Sequence, residues 1–202
     1  MNIIYENREM EGERLELTDK EGNYYLGPNL TLRNCTVVTR VSARGLGVRP
    51  SRFTDCTFEA KQELKNQDWS EAFLKGCRFI GRLTGCDFGH RLPELPGREN
   101  GGIEDCDFTH ARLDGCRFHG CDMRTLRLPR WPCFTLLDPL GRSRELSRLE
   151  WPGGRVPITL KDPVNEPPST VAVTLYAPTF VRSGTTLEDL KTFIEKLDGI
   201  IF

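Results

Sequence analysis

The sequence lacks any apolar run close to the roughly 20 residues that a membrane-spanning helix requires. Its first residues also lack the basic start and long apolar stretch of a secretory signal. The formal net charge of −1 shows no basic excess of the kind usual in general nucleic-acid binders. We therefore predict a cytoplasmic protein that contacts neither membranes nor nucleic acid directly.

Motifs for catalysis and metal binding are also missing. The sequence has no Ser-His-Asp order, no Walker-type glycine loop, no His-Glu-x-x-His and no Cys-x-x-Cys pair. Its three histidines are His90, His110 and His119. We expect outward or corner positions for His110 and His119, which would keep them from converging on one ion with nearby cysteines. The prediction is a protein that is not an enzyme, with no catalytic residue, no cofactor and no metal.

What the sequence contains instead is a short repeated string. Six segments share a turn-forming residue, a cysteine, a polar residue and an apolar residue, at 34–37, 55–58, 76–79, 85–88, 105–108 and 115–118. Apolar residues recur every five positions through 101–133, and the same period runs through 30–88 with single-residue slips near Val41, Gln62 and Gly81. This period is neither that of an α-helix nor that of an ordinary alternating strand.

The repeat resembles the pentapeptide-repeat family, whose loose consensus is a small residue, a polar residue, Leu or Phe, and two more polar positions. The resemblance covers roughly residues 30–133. It implies a right-handed quadrilateral β-helix, in which four pentads form each square coil. We therefore predict a mainly β fold with a cap strand or hairpin at 1–29, a β-helix at 30–133 that a loop interrupts at 89–100, and a small C-terminal α/β cap at 134–202.

Counting four pentads per coil predicts four inward columns of apolar side chains. One column contains Val37, Phe58, Phe79 and Phe118, and another contains Val48, Trp69, Phe88 and Phe108. The same count places Ile103 with Leu83, and Leu113 with Leu74. Coils about 4.8 Å apart would bury these side chains against one another.

The cysteines have a structural interpretation in this frame. We expect small inward positions for Cys56, Cys77, Cys86, Cys106 and Cys116, where a free thiol behaves as a small hydrophobe. The residue before each is Gly or Asp, which tolerate the tight-turn backbone of a corner.

Residues 89–100 lose the apolar period and are rich in Pro, Gly and charge, which predicts a loop that leaves the coil. The loop is either a tolerated surface insertion or a recognition segment, since rigid scaffolds commonly present binding groups on loops. The candidate recognition residues are His90, Arg91, Leu92, Glu94, Leu95 and Arg98.

The composition changes after Cys133. We predict a short helix at 142–149, strands at 156–160 and 170–176, and a final helix that runs from a Thr185/Glu188 capping box to about Asp198. Such a cap covers the end of the β-helix, whose strand edges would otherwise be unpaired. The alternative is a homodimer contact, because the family's DNA-mimic members dimerise through their C-terminal ends. Monomer and homodimer both stay open.

Two functions from different classes follow. The first is a protein-binding scaffold that neutralises another protein, similar in style to bacterial immunity or antitoxin-type proteins, because a rigid scaffold loses little entropy on binding. Residues 30–133 carry 17 Lys and Arg against 13 Asp and Glu. This balance favours an acidic partner, with Arg78 and Arg117 as outward candidates.

The alternative is a DNA mimic that protects a type II topoisomerase such as gyrase from quinolones or toxins. Family members with this activity carry an acidic stripe. Here Asp68, Asp87 and Asp107 form one acidic column, which Arg127 follows. Such a column is also compatible with an ordinary solvated face. An adaptor without an inhibitory role stays open as a third interpretation.

Overall fold

Most of the chain winds into a β-helix of parallel strands, as predicted. The computed structural model describes residues 1–91, 100–181 and 184–202. Wall 1 of the coil contains β1 (Asn2–Tyr5), β4 (Asn23–Leu26), β7 (Leu46–Val48), β12 (Asp87–Gly89) and β15 (Cys116–His119). Wall 2 contains β2 (Arg8–Glu11), β5 (Leu30–Arg33), β8 (Ser51–Thr54), β10 (Ala72–Lys75) and β13 (Gly102–Glu104).

The other two walls share three long strands. Wall 3 begins with β3 (Arg14–Leu17) and β6 (Thr36–Thr39) and continues with the first halves of β9 (Thr57–Lys65), β11 (Arg78–Thr84) and β14 (Asp107–Asp114). The second halves of β9, β11 and β14 bend around the corner and form wall 4. Inward side chains therefore meet their counterparts one coil away, and each coil buries what its neighbour cannot bury alone.

Up to Phe88 the inward columns are those predicted, but after the loop they are displaced. Phe108 stacks on Phe79 with ring centroids 4.8 Å apart, and Phe118 stacks on Phe88 at 5.6 Å. Likewise, Leu113 pairs with Leu83 on wall 4 and Ile103 with Leu74 on wall 2. The predicted order after the loop is wrong because the count allotted two walls to residues 89–100. The chain instead leaves wall 1 at the end of β12 and re-enters at once on wall 2 with β13.

The corners explain the cysteine strings. All eight cysteines are free, seven of them are buried, and Cys121 is half-buried. Seven cysteines follow a corner residue with φ between 50° and 64°, namely Asn34, Asp55, Gly76, Gly85, Asp105, Gly115 and Gly120. Only Gly, Asn and Asp adopt this left-handed backbone readily. The side chains named as core at the sequence level, from Phe58 to Phe118 with Trp69 and the five cysteines, are all buried.

The N-terminal residues form part of the β-helix, and the expected hairpin alternative is wrong. Strands β1, β2 and β3 pair in parallel with β4, β5 and β6 of the next coil, whereas a hairpin would pair neighbours in antiparallel fashion. The physical reason is that Met10, Leu15 and Leu17 already supply inward apolar groups that match Leu32, Val37 and Thr39.

The three register slips lie at or next to wall 4. Between the pairs Ala60–Gly81 and Leu64–Leu83, three residues of β9 oppose the single residue Arg82, so that β9 bulges there. Gly81 has φ 116°, and a Cβ at that position would lie 2.3 Å from the Ala60 carbonyl oxygen. In the preceding coil a 3-10 turn, Ala43–Gly45, follows Val41 where later coils have strands. Wall 4 is therefore stepped.

The C-terminal cap extends wall 1 as an antiparallel sheet. Strand β17 (Thr170–Tyr176) pairs with β15 and with β16 (Cys133–Leu137), which in turn pairs with β18 (Ile200–Ile201). Helices α1 (Ser143–Leu146), α2 (Ile158–Lys161) and α3 (Leu187–Ile194) cover a second apolar cluster centred on Phe134 and Trp151. No helix among the described residues has the length and apolar character of a membrane span.

The cap differs from its prediction in three places. Residues 158–161 form α2 where a strand was expected, since Pro157 directly before it has the fixed φ that suits a helix start. The predicted 142–149 helix shrinks to α1. Helix α3 is capped by Thr186 with Asp189, one residue later than predicted, and it ends at Ile194. The predicted strand at 170–176 is confirmed as β17.

Candidate protein-binding surfaces

The interior of the tube is filled by side chains. Beside Phe58, Trp69 and Phe79 a gap of about 10 Å³ remains. By this measure a cavity needs about 10–15 Å³ to hold a single water molecule, so this gap admits no substrate. Ligand binding by the β-helix is therefore a matter for its outer walls.

Several thiols of the tube have raised pKa values and are therefore weak nucleophiles. The hydrogen bond with Cys106 raises the pKa of Cys77 to about 12, and burial raises the pKa of Cys121 to about 12. Burial also raises the pKa of Cys116 well above its ordinary value. The thiolate is the nucleophile and the metal ligand, so these groups are poor at both tasks near neutral pH. In the parts of the chain that the structure describes, no group of three or more His, Cys, Asp or Glu residues is arranged to hold a metal ion.

His119 lies in the interior of the molecule, which corrects the sequence prediction of an outward or corner position. It is fully buried, with Nε2 2.8 Å from Asp87 Oδ1 and Nδ1 3.2 Å from Thr170 Oγ1. The Thr170 hydroxyl donates to the Pro167 carbonyl at 2.7 Å. The cap covers this side of wall 1, and the repeat pattern alone gives no information about where the cap packs. His110, by contrast, is exposed.

Asp87 is the centre of a buried ion-pair network between coil and cap. Arg117 Nη2 donates to Asp87 Oδ2 at 2.9 Å, and its Nη1 lies 3.3 Å from Glu166 of the cap. Arg91 Nη1 approaches Asp87 at 3.4 Å. Burial alone would raise the pKa of Asp87, but the hydrogen bond to His119 and the charges of Arg117 and Arg91 hold it below its ordinary value. Arg117 and Arg91 are thus engaged inside the protein.

The base of the loop is anchored to the same region. The backbone N–H of His90 donates to the His119 carbonyl at 2.9 Å, and the hydroxyl of Ser169 donates to the Arg91 carbonyl. The remaining predicted loop residues, Leu92, Glu94, Leu95 and Arg98, lie outside the described residues. Their role in recognition stays a prediction.

The predicted acidic column does not form, because Asp68 is the bridge partner of Asp87 on wall 1 whereas Asp107 lies on wall 3 opposite Arg78. Asp87 and Asp107 are buried, with 5% and 6% of their surface exposed. Arg78, which is exposed on wall 3 as expected, lies 3.7 Å from Asp107 Oδ2, and Arg127 approaches the same oxygen at 3.5 Å. The negative charges of Asp87 and Asp107 are therefore compensated by arginines of the fold.

The step in wall 4 creates a groove of about 600 Å³. It lies where the turn Ala43–Gly45 meets the bulge of β9, and its polar lining includes Ser42, Arg44, Gln62, Lys65, Asn66 and Arg82. Glu63 also lines it, 2.8 Å from the Thr84 hydroxyl, 3.3 Å from Arg112 and 3.5 Å from Lys65. The hydrogen bond from Thr84 and these cations hold the pKa of Glu63 below its ordinary value.

A second groove, of about 410 Å³, follows the corner between walls 1 and 2. Asn29 Nδ2 donates to Asn7 Oδ1 at 3.0 Å along it, and Asn100 lines its end near the loop. Arg8, Glu9 and Arg52 also line it, so its charge is mixed. Arg52 is held over the outward ring of Phe73, 5.3 Å from the ring centroid.

Comparison with known proteins agrees with this architecture. The family model described as "Pentapeptide repeats (8 copies)" matches residues 104–125. "Pentapeptide repeat protein VPA0095" of Vibrio parahaemolyticus serotype O3:K6 is 33% identical over 93 residues, which are 44% of this chain and 41% of the relative. The chain contains pentapeptide repeats. It spans less than half the length of this relative, and what the whole protein acts on belongs to the proposals below.

Pentapeptide-repeat β-helices are typically non-enzymatic and are often protein-binding scaffolds. The sequence pattern points to the loop, Arg78 and Arg117 as candidates, and it does not reveal the wall 4 groove with Arg44, Lys65 and Arg82. A signal was present, since the register slips near Val41, Gln62 and Gly81 mark the step that opens the groove. The slips alone do not reveal that their outward neighbours share a concave surface.

Proposed function

We propose that this pentapeptide-repeat protein is a non-catalytic scaffold that binds a partner protein and inhibits it, in the manner of bacterial immunity proteins. The observation that carries the proposal is the combination of a side-chain-filled interior, with its gap of about 10 Å³, and outer walls with grooves of about 600 and 410 Å³. The first removes the interior as a place for chemistry. The second supplies concave surfaces at which another protein can dock.

Rigidity supports an inhibitory role. The ring stacks and the parallel ladders of walls 2 and 3, each five strands wide, fix the backbone that carries the outer side chains before a partner arrives. Association then costs little ordering of the scaffold, so more of the contact energy is retained as affinity. A tight, long-lived complex is what stoichiometric inhibition requires.

The cellular setting of the proposal is the cytoplasm of a bacterium. The eight free cysteines favour a reducing compartment, since disulfides form and persist in oxidising ones. The Vibrio relative supports a bacterial source.

We do not extend the proposal to topoisomerase protection. A duplex mimic needs an exposed acidic stripe, whereas Asp87 and Asp107 are buried and paired with arginines. Residues 30–133 also carry four more basic than acidic residues.

The test is stoichiometric inhibition of a captured partner. The tagged full chain is used to isolate a partner from the organism that encodes it, and the purified partner's own activity is titrated with the chain. We expect the activity to fall by at least tenfold at a 1:1 ratio. Gyrase supercoiling in the presence of a quinolone is the matched control and should be unprotected. A partner that stays fully active when saturated, or gyrase that is protected, contradicts the proposal.

A further inference from the structure

We propose that the wall 4 groove is the docking site for an acidic polypeptide segment of the partner protein. The inference rests on the proposed function and deepens it by naming the surface and the chemistry of what binds there. The groove is defined by Arg44, Gln62, Lys65, Asn66 and Arg82.

The groove carries positive charge that the fold does not compensate. Its carboxylate, Glu63, is already taken by Lys65 at 3.5 Å and Arg112 at 3.3 Å, together with the Thr84 hydroxyl. Arg44 and Arg82 are exposed, and neither has an ion-pair partner among the described residues. A ligand with two or more carboxylates supplies the missing countercharges.

The placement of Arg82 adds an independent reason. Arg82 on β11 is the direct cross-strand partner of Arg112 on β14. Like charges directly opposite each other on neighbouring strands are destabilising. Arg112 is held by Glu63 and by the ring of Tyr176, 4.8 Å from its guanidinium, so its position is fixed by the fold. Arg82 has no such contact among the described residues, and an incoming carboxylate would relieve the repulsion between the two.

The neutral lining favours a polypeptide over a nucleic acid. Gln62 and Asn66 are exposed amides that can donate to and accept from a peptide backbone. Aromatic side chains, on which bases stack, are absent from the groove's lining among the described residues. Glu63 would also repel a phosphate backbone, whereas a polypeptide can place a carboxylate at Arg44 or Arg82 and a neutral group beside Glu63. The occupant is therefore an acidic segment rather than a strand of RNA or DNA.

The test uses a defined probe, a fluorescein-labelled 12-residue peptide of alternating Glu and Ser, with a Gln-for-Glu peptide as its uncharged control. Fluorescence anisotropy is measured with the full-length protein, with Arg44→Glu/Arg82→Glu, and with Arg49→Glu/Arg148→Glu. The last variant changes the net charge equally at two exposed arginines that do not line the groove. A second groove variant, Arg44→Gln/Arg82→Gln, covers the case in which charge reversal disturbs folding, and circular dichroism checks all four proteins.

We expect the groove variants to weaken binding of the Glu peptide at least tenfold, the control variant to stay within twofold of the natural chain, and the Gln peptide to bind none of them. Equal weakening by both charge-reversal variants would show that net charge alone attracts the peptide and would overturn the inference. Tighter binding of a 12-nucleotide single-stranded RNA at the same ionic strength would overturn the choice of a polypeptide.

The failures of the two proposals are distinguishable with the captured partner. If the partner is inhibited and Arg44→Glu/Arg82→Glu binds it with unchanged affinity, the groove assignment is wrong and the inhibitory function stands. If the Glu peptide binds in the groove and the captured partner keeps its activity at saturation, the inhibitory function is wrong and the groove assignment stands.

Discussion

Replacing Phe79 with alanine tests the aromatic stack at the middle of the β-helix. The ring of Phe79 lies between Phe58 at 5.1 Å and Phe108 at 4.8 Å, both stacked, and meets Trp69 and Phe88 edge-on at 5.3 and 5.2 Å. Only 1% of its surface is exposed. Phe58, Phe88 and Phe108 are held in strands β9, β12 and β14, and Trp69 follows the bridge residue Asp68, so the cavity left by Phe79→Ala cannot easily collapse.

The expected cost is large on the scale of domain stability. A buried Phe→Ala change typically costs about 3–5 kcal/mol, and each aromatic pair adds about 0.5–1.5 kcal/mol beyond its buried area. With four such pairs we expect a loss near 5 kcal/mol or above, against a total of roughly 5–15 kcal/mol for a typical domain. Phe73→Ala is the matched control, because Phe73 lies half-buried on the outside of wall 2 against Arg52, where the loss should be about 1 kcal/mol.

Urea unfolding followed by far-UV circular dichroism measures both variants. We expect the midpoint of Phe79→Ala to fall several times further than that of Phe73→Ala, with similar slopes of the free energy against urea. The reasoning is refuted if the two variants lose equal stability, or if Phe79→Ala loses less than about 1 kcal/mol.

Three further predictions concern the titration of two aspartates and the backbone at Gly81. The pKa of Asp87 is lowered in the folded state, so its stabilisation is present above the ordinary aspartate pKa of about 3.9 and is lost as the pH falls through the folded value. The stability difference between the natural chain and Asp87→Asn, roughly 3 kcal/mol at pH 7 because a buried pair is broken, should therefore shrink towards pH 3, and a constant difference would contradict the network. Burial raises the pKa of Asp114, so its ionised form destabilises the fold, which is opposite to the effect at Asp87. Asp114→Asn should therefore be more stable than the natural chain at pH 7 and should lose that advantage below about pH 4. A Cβ added at Gly81 would lie 2.3 Å from a carbonyl oxygen, whereas at Gly115 the nearest atom is 3.9 Å away. Gly115→Ala should lose about 1–2 kcal/mol of stability from its left-handed backbone alone, and Gly81→Ala should lose at least twice as much. Equal shifts of the melting temperature would count against the bulge.

The five-residue period predicts the inward residues because every pentad of a β-helix must bury an apolar group, whichever wall it occupies. It therefore locates Phe58, Trp69 and Phe118 inside the tube from sequence alone. The period cannot say how many walls an insertion replaces, so the columns after residues 89–100 were displaced. The structure settles the number of walls, because β12 on wall 1 is followed by β13 on the adjacent wall 2.

Contacts between distant segments account for the other differences. His119 is buried because cap residue Thr170 packs on it from 51 positions away, and no local pattern contains that contact. The wall 4 groove depends on a bulge that places Arg82 beside residues of two other coils. The four-residue helix α2 is too short for a periodic signal, and its apolar residues also fit a strand.

The most direct measurement of the filled, closed tube is a titration of the eight native thiols with Ellman's reagent. Seven are buried and Cys121 is half-buried with a raised pKa. We predict that at most one thiol reacts in the folded protein at pH 7 and that all eight react after unfolding in guanidinium. Rapid reaction of several thiols in the folded protein would contradict the closed tube on which the surface proposals depend.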